Sequence, residues 1–430
     1  MNSSENDDRS IESSIDSSQS SQWDVIIVGA GAAGLMAAAS AASRGLKTLV
    51  LEKNRKIGVK ILISGGTRCN ITHDCSPREI AERFGHAERF LLSALGKLTP
   101  QMVVEIFETA GVLTKVESNG KVFPDSDRAI DVRDALWKRA VATGADFITD
   151  RPMLDLAQYD GGFRCQTVAG PLLARTVILT CGGRSFPGCG TTGDGYQWAK
   201  DFGHQVVPTH AALTPLVSNE AWVRDLSGIA IEDTIVGIVD SNDKLLGTSR
   251  TATLFTHLGL SGPAPMNVSR FATKPNVDGK TSLRIDLVPT IHRNEIMETW
   301  RAHCLEHGKQ NTGSLPTFGL PHRLVERLMN VARIGPQQKL AEVSRQQLEL
   351  LIEAYKSCRV QVDGTRGYEK AEVTAGGVAL EEVNSRTMES KIVPGLFFAG
   401  EILDVDGPIG GFNFQAAFST GDLAGQCVLP

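Results

Sequence analysis

The sequence has no run of about 18 apolar residues, so no segment has the character of a membrane-spanning helix. It has no surplus of positive charge either: 44 Lys and Arg stand against 49 Asp and Glu, a net charge of −5. Without a broad basic field, nucleic acid and anionic membrane are both disfavoured as main partners. Its eight cysteines, Cys69, Cys75, Cys165, Cys181, Cys189, Cys304, Cys358 and Cys427, are too sparse for a disulfide scaffold and show no zinc-ribbon spacing. No metal-ligand cluster, Ser-His-Asp order or P-loop stands out, so no metal is expected. Reduced thiols in a cytoplasm fit this usage. The first 21 residues lack the basic start and apolar stretch of a secretory signal. Rich in Ser, Asp and Glu, they read as a disordered tail. The 430 residues exceed one ordinary core, and two or three domains are expected.

What is present begins at Trp23. Trp23-Asp24-Val25-Ile26-Ile27-Val28 has the β-branched, apolar character of a buried parallel strand. It runs into Gly29-Ala30-Gly31-Ala32-Ala33-Gly34, then an Ala-rich helical stretch to about Ser43, then a strand Thr48–Leu51 ending at Glu52. Each glycine has a physical reason: Gly29 for a tight turn, Gly31 for approach of a pyrophosphate to the backbone, Gly34 for close helix–strand packing. The helix N-terminus offers unpaired N–H groups and partial positive charge to phosphates. Glu52 is placed to accept ribose hydroxyls, and its charge favours FAD or NAD over NADP. A bare GxGxxG is weak; strand, turn, helix, strand and acid in this order specify a dinucleotide.

A second pattern lies near the other end. Pro394-Gly395 turns into Leu396-Phe397-Phe398-Ala399, followed by Gly400 and Glu401. This ending resembles the second flavin fingerprint of glutathione-reductase-like flavoproteins, in which an acid after the strand holds the ribityl chain. Here Glu401 stands for the usual Asp and reaches one methylene further. Gly407, Gly410 and Gly411 precede a helix expected to begin near Asn413, whose positive end would stabilise the negative charge of a reduced flavin.

Further stretches resemble one family, the BaiN-like (HI0933-like) FAD-dependent oxidoreductases, also called the aminoacetone-oxidase family of FAD-binding enzymes. They are Leu62 through Asn70 (LISGGTRCN), Val122-Phe123-Pro124, Gly182 through Gly195 (GGRSFPGCGTTGDG), Leu254 through Pro263, Glu372 through Val378 (EVTAGGV) and Gly400 through Gln415. Thr67 stands where the family usually has a third glycine, which the backbone can house if its φ is negative. Thr180-Cys181-Gly182-Gly183 replaces the usual Ala-Thr-Gly-Gly.

The resemblance implies an α/β protein with a glutathione-reductase-like FAD-binding Rossmann fold and an inserted β-rich domain that itself carries a helical insertion. The expected organisation is a tail at 1–21, the FAD-binding domain at 22–200 and 371–430, and the β-rich domain at 201–290 and 356–370. The helical insertion is expected at 291–355. Short β-branched segments at 228–239, 252–256, 282–289 and 358–363 fit the β-rich part. The three-to-four spacing of Leu, Ile and Met through 291–355, broken at 316–321 and 335–336, fits the insertion. Clefts favour such domain junctions. Beside Gly29, Gly31, Gly34 and Glu52, the expected cofactor-binding set is Ala32, Ala33, Lys53, Lys60, Ser64, Gly65, Arg68, Cys69, Asn70, Met153, Gly182, Gly183, Gly400, Glu401, Gly410, Gly411, Asn413 and Gln415.

For catalysis, Arg68 supplies a fixed cation on a glycine-rich loop, and His257 is an acid–base candidate whose ordinary pKa lies near neutrality. The counter-reading of His257 is a structural hydrogen bonder. Asp404 and Asp406 can polarise a substrate or simply form turns. Cys69 and Cys75 superficially resemble the redox pair of disulfide reductases, but that pair is spaced C-x4-C and here five residues intervene. No second GxGxxG follows a strand after residue 52, so NADH or NADPH would act only as a transient donor near the flavin. The reading is an FAD-dependent oxidoreductase, NAD(P)H-linked, reducing a small organic acceptor such as a conjugated enone. Its rivals are a flavin amine oxidase, a flavin-dependent tRNA-modifying or RNA-binding protein, and a non-catalytic flavin sensor. Nothing in the sequence specifies an oligomeric state.

Overall fold

The computed structural model describes residues 22–273 and 281–429; the expected disordered tail, 1–21, lies outside the described residues. Strand β1 (Trp23–Val28) is buried along nearly its whole length, because it has a parallel neighbour on each side. Val25 pairs with Thr48 of β2 (Thr48–Leu51) and with Thr176 of the strand Gly170–Leu179. A strand covered on both faces needs apolar residues at successive positions, not alternate ones. The sheet runs Asp146–Ile148, β2, β1, Gly170–Leu179, Gly162–Thr167, Met153–Tyr159, and Leu396–Phe398 also pairs in parallel with Gly170–Leu179. The chain therefore returns, more than 360 residues after β1, to complete the same sheet.

Helix α1 (Ala32–Ala42) is buried at ten of its eleven positions. Its alanines are explained by its partner, the C-terminal helix Phe412–Cys427. Gly421 and Gly425, one turn apart, lie directly against the backbone carbonyls of Ala33 and Ala37. Only small residues on both helices allow backbones to approach so closely. Between β2 and the Asp146–Ile148 strand lie helix α2 (Val59–Ile63), four longer helices and a small antiparallel sheet of Thr72–His73, Lys121–Pro124 and Thr114–Val116.

The second unit is a seven-stranded antiparallel sheet ordered Cys358–Val362, Thr281–Asp286, Ala230–Val239, Leu245–Thr256, Gly259–Ser261, Leu216–Val217, Gly364–Thr365. Three helices, Arg293–Glu306, His322–Val331 and Arg345–Lys356, pack beside it around Trp300 and Tyr355. The architecture is thus a dinucleotide-binding Rossmann domain with an inserted β-rich domain that carries helices of its own. A ribbon of Val206–Ala212 against Val373–Val378 stands where the chain passes between the two units, and Leu213, Met266 and Val373 form a small apolar core there. Among the described residues no single helix is long and apolar enough to cross a membrane.

Candidate functional site

One cavity of about 570 Å³ draws its lining from both ends of the chain and from the domain junction. The turn after β1 forms one wall. A Cβ on Gly29 would stand 2.9 Å from Thr180 O, and one on Gly34 would run into Gly29 O, so the protein's own packing demands both glycines. Gly31 differs: a Cβ there would meet nothing within 4 Å. Free space beside an exposed backbone is what a phosphate pressed against that backbone requires. Gly31 caps α1 without any side-chain hydrogen bond to its first turn, and that turn holds no acid, leaving its N–H groups for an anion. Glu52 lies behind the turn and accepts the Ala30 and Asn54 N–H groups, each at 2.8 Å. These residues fit a dinucleotide.

The C-terminal helix opens on the same cavity. Its cap Gly411 has φ 88° and likewise no side-chain cap. The Asn70 amide accepts the Gly411 N–H at 2.8 Å and donates to Thr72 O and Val122 O. Asn413 ties down the preceding loop, accepting the Gly407 N–H at 2.8 Å and donating to Gly407 O at 2.9 Å. Glu401 is the centre of a network: Lys60 Nζ lies 2.5 Å from Oε2, while Ser185 Oγ at 2.6 Å and the Thr374 N–H at 2.9 Å reach Oε1. Lys53 pairs with Asp194 at 2.7 Å. Gly29, Gly31, Ala32, Ala33, Glu52, Lys53, Lys60, Ser64, Gly65, Arg68, Asn70, Met153, Gly182, Gly400, Glu401, Gly410, Gly411 and Asn413 are thus brought to one cavity from across the sequence.

Other expected site residues lie elsewhere. Gly34 packs α1 on β1, and Gly183 is pressed against Thr374 and Glu401 behind the wall. Gln415 is fully buried, accepting Thr72 Oγ1 at 2.5 Å and donating to Leu98 O at 2.9 Å. Cys69 is fully buried too, and burial pushes its thiol up to about 12, which removes the thiolate a dithiol mechanism needs. Cys75 is pushed up to about 11, again chiefly by burial. His257 is exposed in the turn between Leu245–Thr256 and Gly259–Ser261, and it does not line the cavity. Arg68 does line it, with its guanidinium 2.9 Å from Glu117, 3.2 Å from Asp127 and stacked over Phe123.

The condition for housing Thr67 without strain is not met: its φ is 69°, and Gly65, Gly66 and Cys69 are left-handed as well. The Thr67 Oγ1 donates to Gly66 O at 2.6 Å within this turn. Gly188-Cys189-Gly190-Thr191-Thr192-Gly193 has the letters of a second dinucleotide fingerprint. It overlaps a 3-10 turn, Pro187–Cys189, and does not leave a strand; Cys189, Gly190 and Thr191 line the same cavity. Outside the cavity, His204 bridges Ser390 Oγ (2.8 Å) and Glu382 (3.1 Å) in the connectivity of a hydrolase triad. Its ring is sealed against Phe398, and burial pushes its pKa down, so this relay is structural.

The sequence reading missed Lys121, Arg151, Lys370 and Glu372, all of which line the cavity. Glu372 immediately precedes the junction strand Val373–Val378 and shares the cavity lining with Leu213, Val373 and Ile409. Its carboxyl pKa is raised by burial, with Lys60 and Lys121 opposing that shift.

Comparison with known proteins accords with this geometry. Residues 23–427 match the HI0933-like protein Rossmann domain. The chain is 34% identical over 403 residues to the ribosomal RNA dihydrouridine synthase of Escherichia coli (strain K12), covering 93% of this chain and 96% of that protein. The enzyme of the same name from Haemophilus influenzae is also 34% identical over 403 residues, covering 92% and 96%. The 3-dehydro-bile acid delta(4,6)-reductase of Clostridium scindens is 30% identical over 403 residues, covering 93% and 97%. The chain belongs to the HI0933-like family of FAD-binding Rossmann proteins and is an FAD-dependent oxidoreductase.

Proposed function

We propose that this oxidoreductase reduces the carbon–carbon double bond of an α,β-unsaturated carbonyl compound, with NADH or NADPH as the transient electron donor. The observation that carries this reading is the continuity of the cavity. Its lining extends from the dinucleotide turn at Gly31 to an apolar wall at the domain junction, with Arg68, Glu372 and Lys370 on the same lining; a planar conjugated substrate would bind against that wall. Bound FAD supplies hydride transfer at this site. The chain's own part is to bind, orient and shield. The N-termini of α1 and the C-terminal helix, with Lys53 and Lys60, hold the anionic parts of the cofactor. Arg68, fixed by Glu117 and Asp127, presents a cation whose position does not depend on the substrate.

The names of the relatives agree with this chemistry. A 3-oxo bile acid with double bonds at positions 4 and 6 is a conjugated enone. Uracil, from which dihydrouridine derives, has its C5=C6 bond conjugated to the C4 carbonyl. A uracil base in RNA is therefore the second reading. It is favoured by Lys121, Arg151 and Lys370 on the cavity lining, which offer local positive charge despite the acidic whole. All eight cysteines are free, and a reducing cytoplasm is the proposed setting. The test is anaerobic: holoenzyme is mixed with NADH or NADPH and the visible flavin absorbance followed. The reduced enzyme is then mixed with a 3-oxo-4-ene steroid or with unmodified ribosomal RNA. Bleaching followed by recovery, with saturated ketone or dihydrouridine seen by mass spectrometry, is expected. No bleaching by either donor rejects the nicotinamide link, and no recovery with either acceptor rejects the enone reading.

A further inference from the structure

Among the described residues four carboxylates line the cavity: Glu52, Asp194, Glu372 and Glu401. Three are committed. Glu52 accepts two backbone N–H groups, Asp194 holds Lys53 and Thr192, and Glu401 holds Lys60, Ser185 and the Thr374 N–H. The Glu372 carboxylate makes no hydrogen bond or ion pair with any of the described residues. Its backbone is nevertheless fixed, with the N–H donating to Leu213 O at 3.1 Å and the carbonyl accepting Ser185 Oγ at 3.3 Å. The side chain is exposed to the cavity and stands at the junction of the two domains, next to the apolar wall of Leu213, Val373 and Ile409. A rigidly rooted acid with a free head in a concave, partly apolar site is suited to exchanging a proton with a bound ligand.

From this geometry we infer that Glu372 is the proton donor to the substrate, delivering its proton to the α-carbon while hydride adds to the β-carbon. The inference rests on the enone reading above. The electron pair arrives with the hydride from the reduced flavin, and the carbon–carbon π bond becomes an enolate. The Glu372 O–H bond then breaks, a C–H bond forms at the α-carbon, and the resulting carboxylate recovers its proton from water. Desolvation by the surrounding cavity walls raises the pKa of Glu372, so its acid form persists to higher pH than that of a glutamate in open water. The charged groups on the lining around it are Lys60 on α2, Lys121 on the small sheet, Lys370 on its own segment, Arg68, and Glu401 beyond Lys60. Lys60 and Lys121 limit the rise.

The test uses holoenzyme of the wild type, Glu372→Gln and Glu372→Asp, reduced anaerobically with dithionite so that the nicotinamide question does not enter. Each is reoxidised in a stopped-flow instrument by a 3-oxo-4-ene steroid, by unmodified ribosomal RNA, and by ferricyanide, which needs no carbon protonation. The expected result is that the ratio of enone rate to ferricyanide rate falls roughly 100-fold or more in Glu372→Gln, with part of it retained in Glu372→Asp. In the wild type the enone rate should decline as pH rises through the carboxyl's pKa, and Glu372→Gln should lack that limb. A second readout needs no turnover: infrared difference titration of the apoprotein should show a protonated carboxyl persisting above the ordinary glutamate range, absent from Glu372→Gln. An active wild type with an unchanged ratio and unchanged pH limb in Glu372→Gln overturns the role of Glu372 alone. A wild type reoxidised by ferricyanide but by neither enone overturns the enone reading, and the proton-donor role with it.

Discussion

Replacing Gly421 by alanine is the sharpest test of how the two ends of the chain make one site. Gly421 lies inside the C-terminal helix, where Ala for Gly should add about 1 kcal/mol of helix stability in isolation. In this protein the added methyl would stand 2.9 Å from both the Cα and the carbonyl carbon of Ala33, and closer still to its oxygen. Carbon–carbon contacts are most favourable at about 3.5–4.0 Å, so the helices must separate by roughly 0.6–1 Å. Backbone cannot rotate aside as a side chain does, which puts the overpacking cost near the upper end of about 1–3 kcal/mol. The net loss expected is about 2 kcal/mol. Ala32 and Ala33 also line the cofactor cavity, so the same displacement should weaken FAD binding about tenfold, or about 1.4 kcal/mol.

The control is Gly96→Ala, an exposed position in the helix Glu88–Lys97 where a Cβ meets nothing within 4 Å. It should stabilise by up to about 1 kcal/mol and leave FAD affinity unchanged. Urea unfolding of the apoprotein and titration with FAD, read by quenching of flavin fluorescence, measure both effects. Equal or greater stability of Gly421→Ala, with unaltered FAD affinity, would refute the packing argument.

Thr67→Gly should stabilise the protein by about 0.5–1 kcal/mol, because relief of a left-handed threonine outweighs the extra unfolded-state freedom of glycine; urea midpoints at constant slope measure it. His257→Ala should change turnover less than twofold, since the imidazole lies outside the cavity; a hundredfold loss in steady-state rate would contradict its placement. Native enzyme should resist alkylation at Cys69 at pH 8, and the Cys69→Ala/Cys75→Ala double variant should still take up two electrons per flavin in an anaerobic titration. Glu401→Gln should lower FAD affinity at least tenfold (about 1.4 kcal/mol), because the carboxylate that fixes Lys60, Ser185 and the Thr374 N–H in place on the cavity wall is lost; equilibrium titration decides it.

The fold and the cofactor half of the site were legible in the sequence because their causes are local. A strand buried on both faces must be apolar at successive positions, and a turn that admits a phosphate must have glycine at fixed offsets. Trp23–Val28, Gly29–Gly34 and Thr48–Glu52 therefore declare themselves, as does the run from Leu396 to Glu401. The C-terminal helix starts at Phe412, one residue from where its glycines place it. The backbone conformation at Thr67 stays open in the sequence, because a left-handed φ at a non-glycine residue depends on the surrounding turn, which one residue does not reveal.

The reacting face was a different matter. His257 has suitable chemistry and a suggestive glycine-rich neighbourhood, yet the hairpin it occupies turns it toward solvent. Glu372 opens the EVTAGGV stretch, but nothing local in that stretch marks it as a proton donor. It stands out because Glu52, Asp194 and Glu401 are each occupied by partners, from Ala30 on Glu52, 22 residues away, to Lys60 on Glu401, 341 residues away, while Glu372 is not. Sequence by itself determined that this chain folds twice onto one dinucleotide, since short-range packing and turn geometry leave a residue-level trace. Which carboxylate is left free to act was decided only in the tertiary structure, because freedom from partners is a property of everything around a side chain and not of the side chain itself.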